Sequence, residues 1–170
     1  MCIRDSAVSW TDNNGNFWLF GGYGWDSAGT PGYLNDLWEY SSSTKQWAWI
    51  AGSNTIPLNT SDPAHDGAFG VYGTQGTAAS GNTPGARIGA IAQTDPDGNL
   101  WMFGGSGLDS NGAYGYLDDL WEFSPSTGLW RWVGGTKEVP GATNSGQPGI
   151  YGTFGVPAAL NDAGGRTRCV

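Results

Sequence analysis

The segment AVSWTDNNGNFWLFGGYGWDSAGTPGYLNDLWEYSSSTKQWAWIAG, residues 7–52, returns as AIAQTDPDGNLWMFGGSGLDSNGAYGYLDDLWEFSPSTGLWRWVGG, residues 90–135. Ala7 falls on Ala90 and Gly52 on Gly135, a constant offset of 83 residues with no gap. A repeat of this kind decides the fold before any single residue does, because each unit must fold alike and bury its apolar faces against its neighbours. GVYGTQG at residues 70–76 recurs as GIYGTFG at residues 149–155, now offset by 79, so the connecting segment is where length varies. Gly164, Gly165 and Arg166 then parallel Gly85, Ala86 and Arg87, the opening of the second unit, which marks the start of a third.

Each unit reads as four short strands, at residues 7–11, 16–20, 36–40 and 46–50 and at their equivalents 83 residues later. Asn13, Asn14 and Gly15 form a hairpin turn whose residues tolerate positive φ, as do Asp97 and Gly98. The doublets Gly21–Gly22 and Gly104–Gly105 end the second strand, where missing side chains let backbones pass closely. Alternation puts Trp38 and Tyr40 on one face and Leu37 on the other, while Trp47 and Trp49 share a face. A four-stranded sheet that is apolar on both sides must be covered on both sides. Blades stacked around an axis do that, so the expected fold is all-β: a β-propeller fragment of two four-stranded antiparallel blades and the start of a third. Trp38, Trp47, Trp121 and Trp130 are expected to be buried within or between blades.

The organisation that follows is a first blade at 7–52, a Gly-, Thr- and Ser-rich connector at 53–86 without strand or helix pattern, a second blade at 87–135, and a connector with the broken start of a third blade at 136–170. In residues 1–6, MCIRDS, only Arg4 has a counterpart, Arg87, so these six are expected to be a non-native scar outside the fold. Cys169 stands where the third unit calls for the alanine of Ala7 and Ala90. Two blades alone leave outer faces wet, so the piece is expected to be marginal or prone to associate.

Composition narrows the function. Thirty Gly and ten Trp in 170 residues favour turns and strands. Seven basic against fifteen acidic residues, net charge −8, argue against a phosphate-backbone partner and so against nucleic acid. No apolar run is long enough to span a bilayer. The two cysteines, Cys2 and Cys169, sit too far apart to read as a disulfide framework or a metal knuckle. Low Lys with abundant Gly, Ser, Thr, Asn and Trp suggests an extracellular or cell-surface setting.

The Gly doublets, the third-strand aromatics Tyr40 and Phe123, and Trp47 and Trp130 opening the fourth strand resemble the kelch repeat over residues 7–135. The departure is length, a period of 83 against about 50. Kelch-like blades also occur in copper radical oxidases of the galactose oxidase type. That reading implies several histidine ligands and a tyrosine–cysteine crosslink, whereas His65 is the sole histidine and the blades carry no cysteine. Kelch propellers that recognise peptides carry arginines around the central opening, which nominates Arg87.

Other constellations carry a plain reading and a sharp one. Residues 11–16 and 94–99, TDNNGN and TDPDGN, look like calcium loops, yet the twelfth position is Tyr23 or Ser106 instead of the bidentate Glu, and a hairpin turn explains both. Asp36 and Asp119, with Arg87 and Arg166, suit a partly buried ion pair that locks each blade. The pairs Trp47–Trp49 and Trp130–Trp132 are blade packing or sugar-stacking platforms. His65 and the sequon at Asn59 carry little weight.

In an up-and-down blade the loop after the second strand and the connector after the fourth leave on one face, so the long segments 23–35, 53–86, 106–118 and beyond 136 share it. The candidate ligand-contacting residues are Tyr23, Trp25, Asp26, Tyr33, Arg87, Asp109, Tyr114 and Tyr116. The expected function is a non-catalytic module recognising a protein or glycan on that face, inside a larger secreted or surface propeller, with no metal and no cofactor of its own. A scaffold without ligand and part of an oxidase are the alternatives.

Overall fold

In the computed structural model, residues 4–60, 62–141 and 145–167 are described, and among them every regular element is a β-strand. The first sheet contains β1 (Arg4–Asp5), β2 (Val8–Thr11), β3 (Phe17–Trp25), β4 (Pro31–Tyr40) and β5 (Trp47–Ala51). Its order is β1-β3-β4-β5, with β2 also on β3, so β1 and β2 together form one edge. Next come β6 (Ala78–Ala79), β7 (Arg87–Ile88), β8 (Ile91–Thr94), β9 (Leu100–Leu108), β10 (Tyr114–Ser124), β11 (Leu129–Gly134) and β12 (Ser145–Gly146). These form the second sheet, ordered β6-β11-β10-β9-β7, with β8 on β9 and β12 on β10. All pairings are antiparallel except β10 with β12, and neither sheet closes into a barrel.

The expected four strands are the frame of each sheet, with four differences. First, the Gly doublet does not end the second strand. β3 and β9 run through it with a register shift, and Gly21, Gly22, Gly104 and Gly105 all take positive φ, from 62° to 99°. A Cβ on Gly21 would lie 2.8 Å from the Arg87 carbonyl oxygen, and one on Gly104 2.6 Å from that of Arg166, so the doublet is where the next unit's opening strand crosses. Second, the expected loops 23–35 and 106–118 are mostly strand, and the true turns are the short stretches between β3 and β4 and between β9 and β10.

Third, the connector 53–86 is structured. Gly67 bridges Tyr33, Val71 bridges Thr83, and β6 adds an outer strand to the second sheet. Fourth, part of the segment set aside as a scar lies in the fold: Arg4 pairs with Gly24 and Asp5 with Tyr23. The expectations for Cys2 and Cys169 lie outside the described residues.

The core lies between the two sheets. Val8, Trp10, Trp18, Phe20 and Leu37 on one face of the first sheet meet Leu100, Met102, Trp121, Phe123 and Trp130 on the second. Rings interlock across the junction: Trp18 with Phe123 at 5.6 Å and Phe20 with Trp130 at 5.5 Å between centroids. Polar bonds fix the register, Trp10 Nε1 donating to the Trp101 carbonyl at 2.8 Å and Thr94 Oγ1 to that of Thr11 at 3.0 Å. Each large ring buried here contributes about 2–3 kcal/mol of transfer free energy.

Burial of the tryptophans follows from this arrangement. Trp121 and Trp130 are buried, Trp38 is half-buried, and Trp47 is 49 % exposed, against expectation. Trp38 and Trp47 occupy the same positions as Trp121 and Trp130, but on the face of the first sheet that has no sheet against it. Position in the unit is equal; position in the stack is not.

Candidate functional site

The long segments do converge on one end of the sheets. Ser27 N donates to the Asn54 carbonyl, Tyr33 N to that of Asp66, Gly70 N to that of Asp109 and Ser110 N to that of Lys137, all at 2.9–3.0 Å. The opposite end carries the Asp12 and Asp95 turns. There the Asp12 carboxylate accepts from Asn14 N, Asn16 N and Trp18 Nε1, and Asp95 accepts from Asn99 N and Trp101 Nε1. These N–H donors hold each carboxylate within its turn. The Trp101 donor foremost holds the Asp95 carboxyl below its ordinary range.

At the long-segment end an aromatic ladder joins both sheets. Tyr23 meets Tyr33 edge-on at 5.2 Å, Tyr33 meets Tyr114 at 5.0 Å, and the His65 ring stacks on Tyr114 at 3.7 Å. Asp62 Oδ2 holds His65 Nδ1 at 2.7 Å, and Ser106 Oγ donates to the Tyr114 hydroxyl at 2.9 Å. Burial, with a hydrogen bond to Tyr114, raises the Tyr33 pKa well above its ordinary value, so its hydroxyl stays protonated throughout the neutral range. Phe69 crosses Gly112, whose Cβ would meet the ring at 2.4 Å.

The sequence-predicted residues divide by position. Tyr23, Trp25 and Tyr116 are exposed, at 45 %, 47 % and 41 %. Tyr33 and Tyr114 stand inside the ladder. Asp26 Oδ1 accepts from Ala28 N and Thr30 N and its Oδ2 from Ile56 N, so it fastens the turn to the connector; Asp109 repeats this with Asn111 N, Ala113 N and Val139 N and is buried. Arg87 is wholly buried, its guanidinium forking onto the Asp119 carboxylate at 2.6 and 2.8 Å, which is the ion-pair reading of that residue. Its 83-residue twin is Arg4 on Asp36.

Sequence reasoning passed over Phe69, which lacks an equivalent in a second unit, and gave His65 and Asn59 little weight. Asn59 is buried, its amide donating to the Gly112 carbonyl at 2.9 Å. Among the described residues no three His, Cys, Asp or Glu side chains are grouped to hold a metal ion. No helix among them is long and apolar enough to cross a membrane.

Two antiparallel sheets packed face to face, neither closed into a barrel, make an all-β fold consistent with a fragment of a propeller. The solved structure described as "Structure of YjhT" superposes with a TM-score of 0.51 at 17 % identity, covering 82 % of this chain and 40 % of that one. The chain thus spans less than half the length of that structure, and the likeness shows the fold alone. No family model and no curated protein matches the sequence.

Proposed function

We propose that the chain is a non-catalytic recognition module whose long-segment face contacts a protein or glycan, within a kelch-type propeller acting outside the cell or at its surface. The observation that carries this reading is the aromatic ladder. Tyr23 presents an exposed ring at the end of a rigid stack, Tyr33, His65 and Tyr114, that spans both sheets. Flat rings held by a scaffold suit the apolar face of a sugar or a peptide side chain, and loops on rigid strands are where recognition concentrates. The net charge of −8 favours neutral or basic ligands.

A scaffold reading is favoured by one observation: Arg87, Asp26, Asp109 and Asn59 are all engaged by internal bonds. An array of oligosaccharides and a peptide library, probed with the fluorescently labelled chain, separates the two. Recognition requires at least one ligand whose signal drops about tenfold or more in Tyr23→Ala, the cost of a lost stacking ring. A chain that binds neither array is a scaffold, and binding that ignores Tyr23 removes the ladder as the contact site.

A further inference from the structure

At the end that carries the short turns, a cavity of about 530 Å³ lies between the two repeat units. Its walls include Asn16, Trp18, Glu39 and Ile50 of the first unit and Asp97 and Phe123 of the second. It continues the side on which Phe20 and Leu37 meet Phe123 and Trp130, so its walls come from inside the stack and from neither outer face. The two turns beside it are tied together, Asn13 Nδ2 donating to the Pro96 carbonyl at 2.9 Å. Its volume is that of a pocket for a small ligand or a single large side chain.

One carboxylate in this cavity differs from its twin. Glu122, on the second sheet, is buried, and its cross-strand neighbour Arg131 forms an ion pair with it. Glu39 holds the same position on the first sheet, but its cross-strand neighbour is Ala48. No Lys or Arg among the described residues pairs with Glu39. Its Oε1 accepts from Asn16 Nδ2 at 2.9 Å, and Asn16 is itself locked, its Oδ1 accepting from Ser42 N at 3.0 Å. The carboxylate is therefore oriented, half-buried and without a countercharge, beside open space. Trp18 and Phe123, with centroids 5.6 Å apart, and Ile50 give that space an apolar wall, and Asp97 adds a second negative charge.

We infer that this cavity binds an alkylguanidinium, the group that Arg131 provides to Glu122, brought from outside the chain either free or as an arginine of a partner protein. A planar guanidinium can fork onto both oxygens of Glu39 while its methylene stem lies along Ile50 and Phe123. A divalent cation suits the cavity less well. The apolar wall offers it no ligand, and among the described residues no three His, Cys, Asp or Glu are grouped to hold one. A neutral ligand would leave Glu39 without a countercharge. The site lies at the end opposite the aromatic ladder, so it stands apart from recognition by Tyr23.

The test is a heteronuclear NMR titration of the full chain at low salt, where screening is weakest, reading the Asn16 side-chain amide and the Asp97 N–H. The probes are agmatine, a blocked Gly-Arg-Gly peptide, the same peptide with neutral citrulline in place of arginine, and calcium chloride. Agmatine and the arginine peptide should shift both signals saturably, and the citrulline peptide should not. Tighter binding of the peptide marks a partner chain as the source, and equal binding marks a free guanidinium compound. Glu39→Gln keeps the acceptor for Asn16 and loses the charge, so it should weaken binding about tenfold. Ala48→Arg supplies the cross-strand arginine from within and should abolish binding while leaving the rest of the spectrum as in the wild type. The inference is overturned by the absence of a saturable shift, by equal binding of the citrulline peptide, or by calcium displacing agmatine from the same signals. Binding indifferent to both Glu39→Gln and Ala48→Arg also overturns it. Tyr23→Ala should leave the titration unchanged, so the ligand arrays report on the recognition reading separately.

Discussion

Arg87 and Asp119 meet through two parallel hydrogen bonds with both side chains fully buried, while the same pair on the first sheet, Arg4 and Asp36, is 22 % and 8 % exposed. The two pairs differ in surroundings and hardly in geometry, so they separate the cost of an orphaned buried charge from the worth of the bond. Arg87→Ala leaves Asp119 without its countercharge and should cost about 3–5 kcal/mol in urea unfolding. Arg4→Ala should cost less, about 1–2 kcal/mol, since the Arg4 side chain is itself partly in water and Trp38 Nε1 still donates to Asp36.

The Gly doublet sets up a second contrast. Gly21 (φ 62°) and Gly29 (φ 80°) both have positive φ, but a Cβ on Gly21 meets the Arg87 carbonyl oxygen at 2.8 Å and one on Gly29 meets nothing within 4 Å. Gly29→Ala is expected to cost about 1 kcal/mol, the backbone strain alone. Gly21→Ala should cost at least about 2 kcal/mol, and differential scanning calorimetry resolves the difference.

Trp121 and Trp130 are both buried, yet only one uses its polar atom. Trp121 Nε1 donates to Asp119 Oδ2 at 2.7 Å, whereas Trp130 Nε1 is buried without an acceptor among the described residues. Trp130→Phe removes an unsatisfied donor, which offsets the lost packing. Trp121→Phe removes a bond to a buried carboxylate and should be about 2 kcal/mol more destabilising, measured by chemical denaturation.

Asp118 gives stability a pH dependence. Burial foremost, opposed by hydrogen bonds from Thr136 and assisted by the Asp162 and Asp119 charges, raises its pKa above the ordinary 3.8. Its Oδ2 has no donor among the described residues, and its twin on the first sheet is Asn35. A carboxyl whose folded pKa is raised contributes stability below the unfolded value, lost as pH rises through the folded value. Asp118→Asn should therefore be about 1 kcal/mol more stable than wild type at neutral pH, with the gain shrinking as pH falls towards 3.8 in a series of thermal melts.

The strand frame was legible because a period-two pattern occurring twice leaves little freedom: Leu37 and Trp38 had to face opposite ways, and they do. The ion pair of Arg87 with Asp119 was legible for the same reason. What was not legible depended on which surfaces find a neighbour. Trp47 and Trp130 read identically, and only the stack leaves one exposed. Gly21 and Gly22 looked like a stop because glycine allows both an end and a bulge, and the crossing strand that selects the bulge comes from the next unit. Tyr72 was hidden in a segment with no strand pattern, since its partners Trp121, Trp132 and Asp119 lie about 50–60 residues on. The ladder was half visible, its tyrosines nominated but His65 given little weight.

The connector edges the sheet that follows it, through Ala78–Ala79 on β11 and Tyr72 beneath Trp132. During synthesis this strap leaves the ribosome before its seat exists, and the apolar face of the first sheet leaves before its cover. The first sheet is therefore completed by what is made after it, and the second by a strap made before it, so a chain stalled between the two exposes an uncovered apolar face and a strap without its seat.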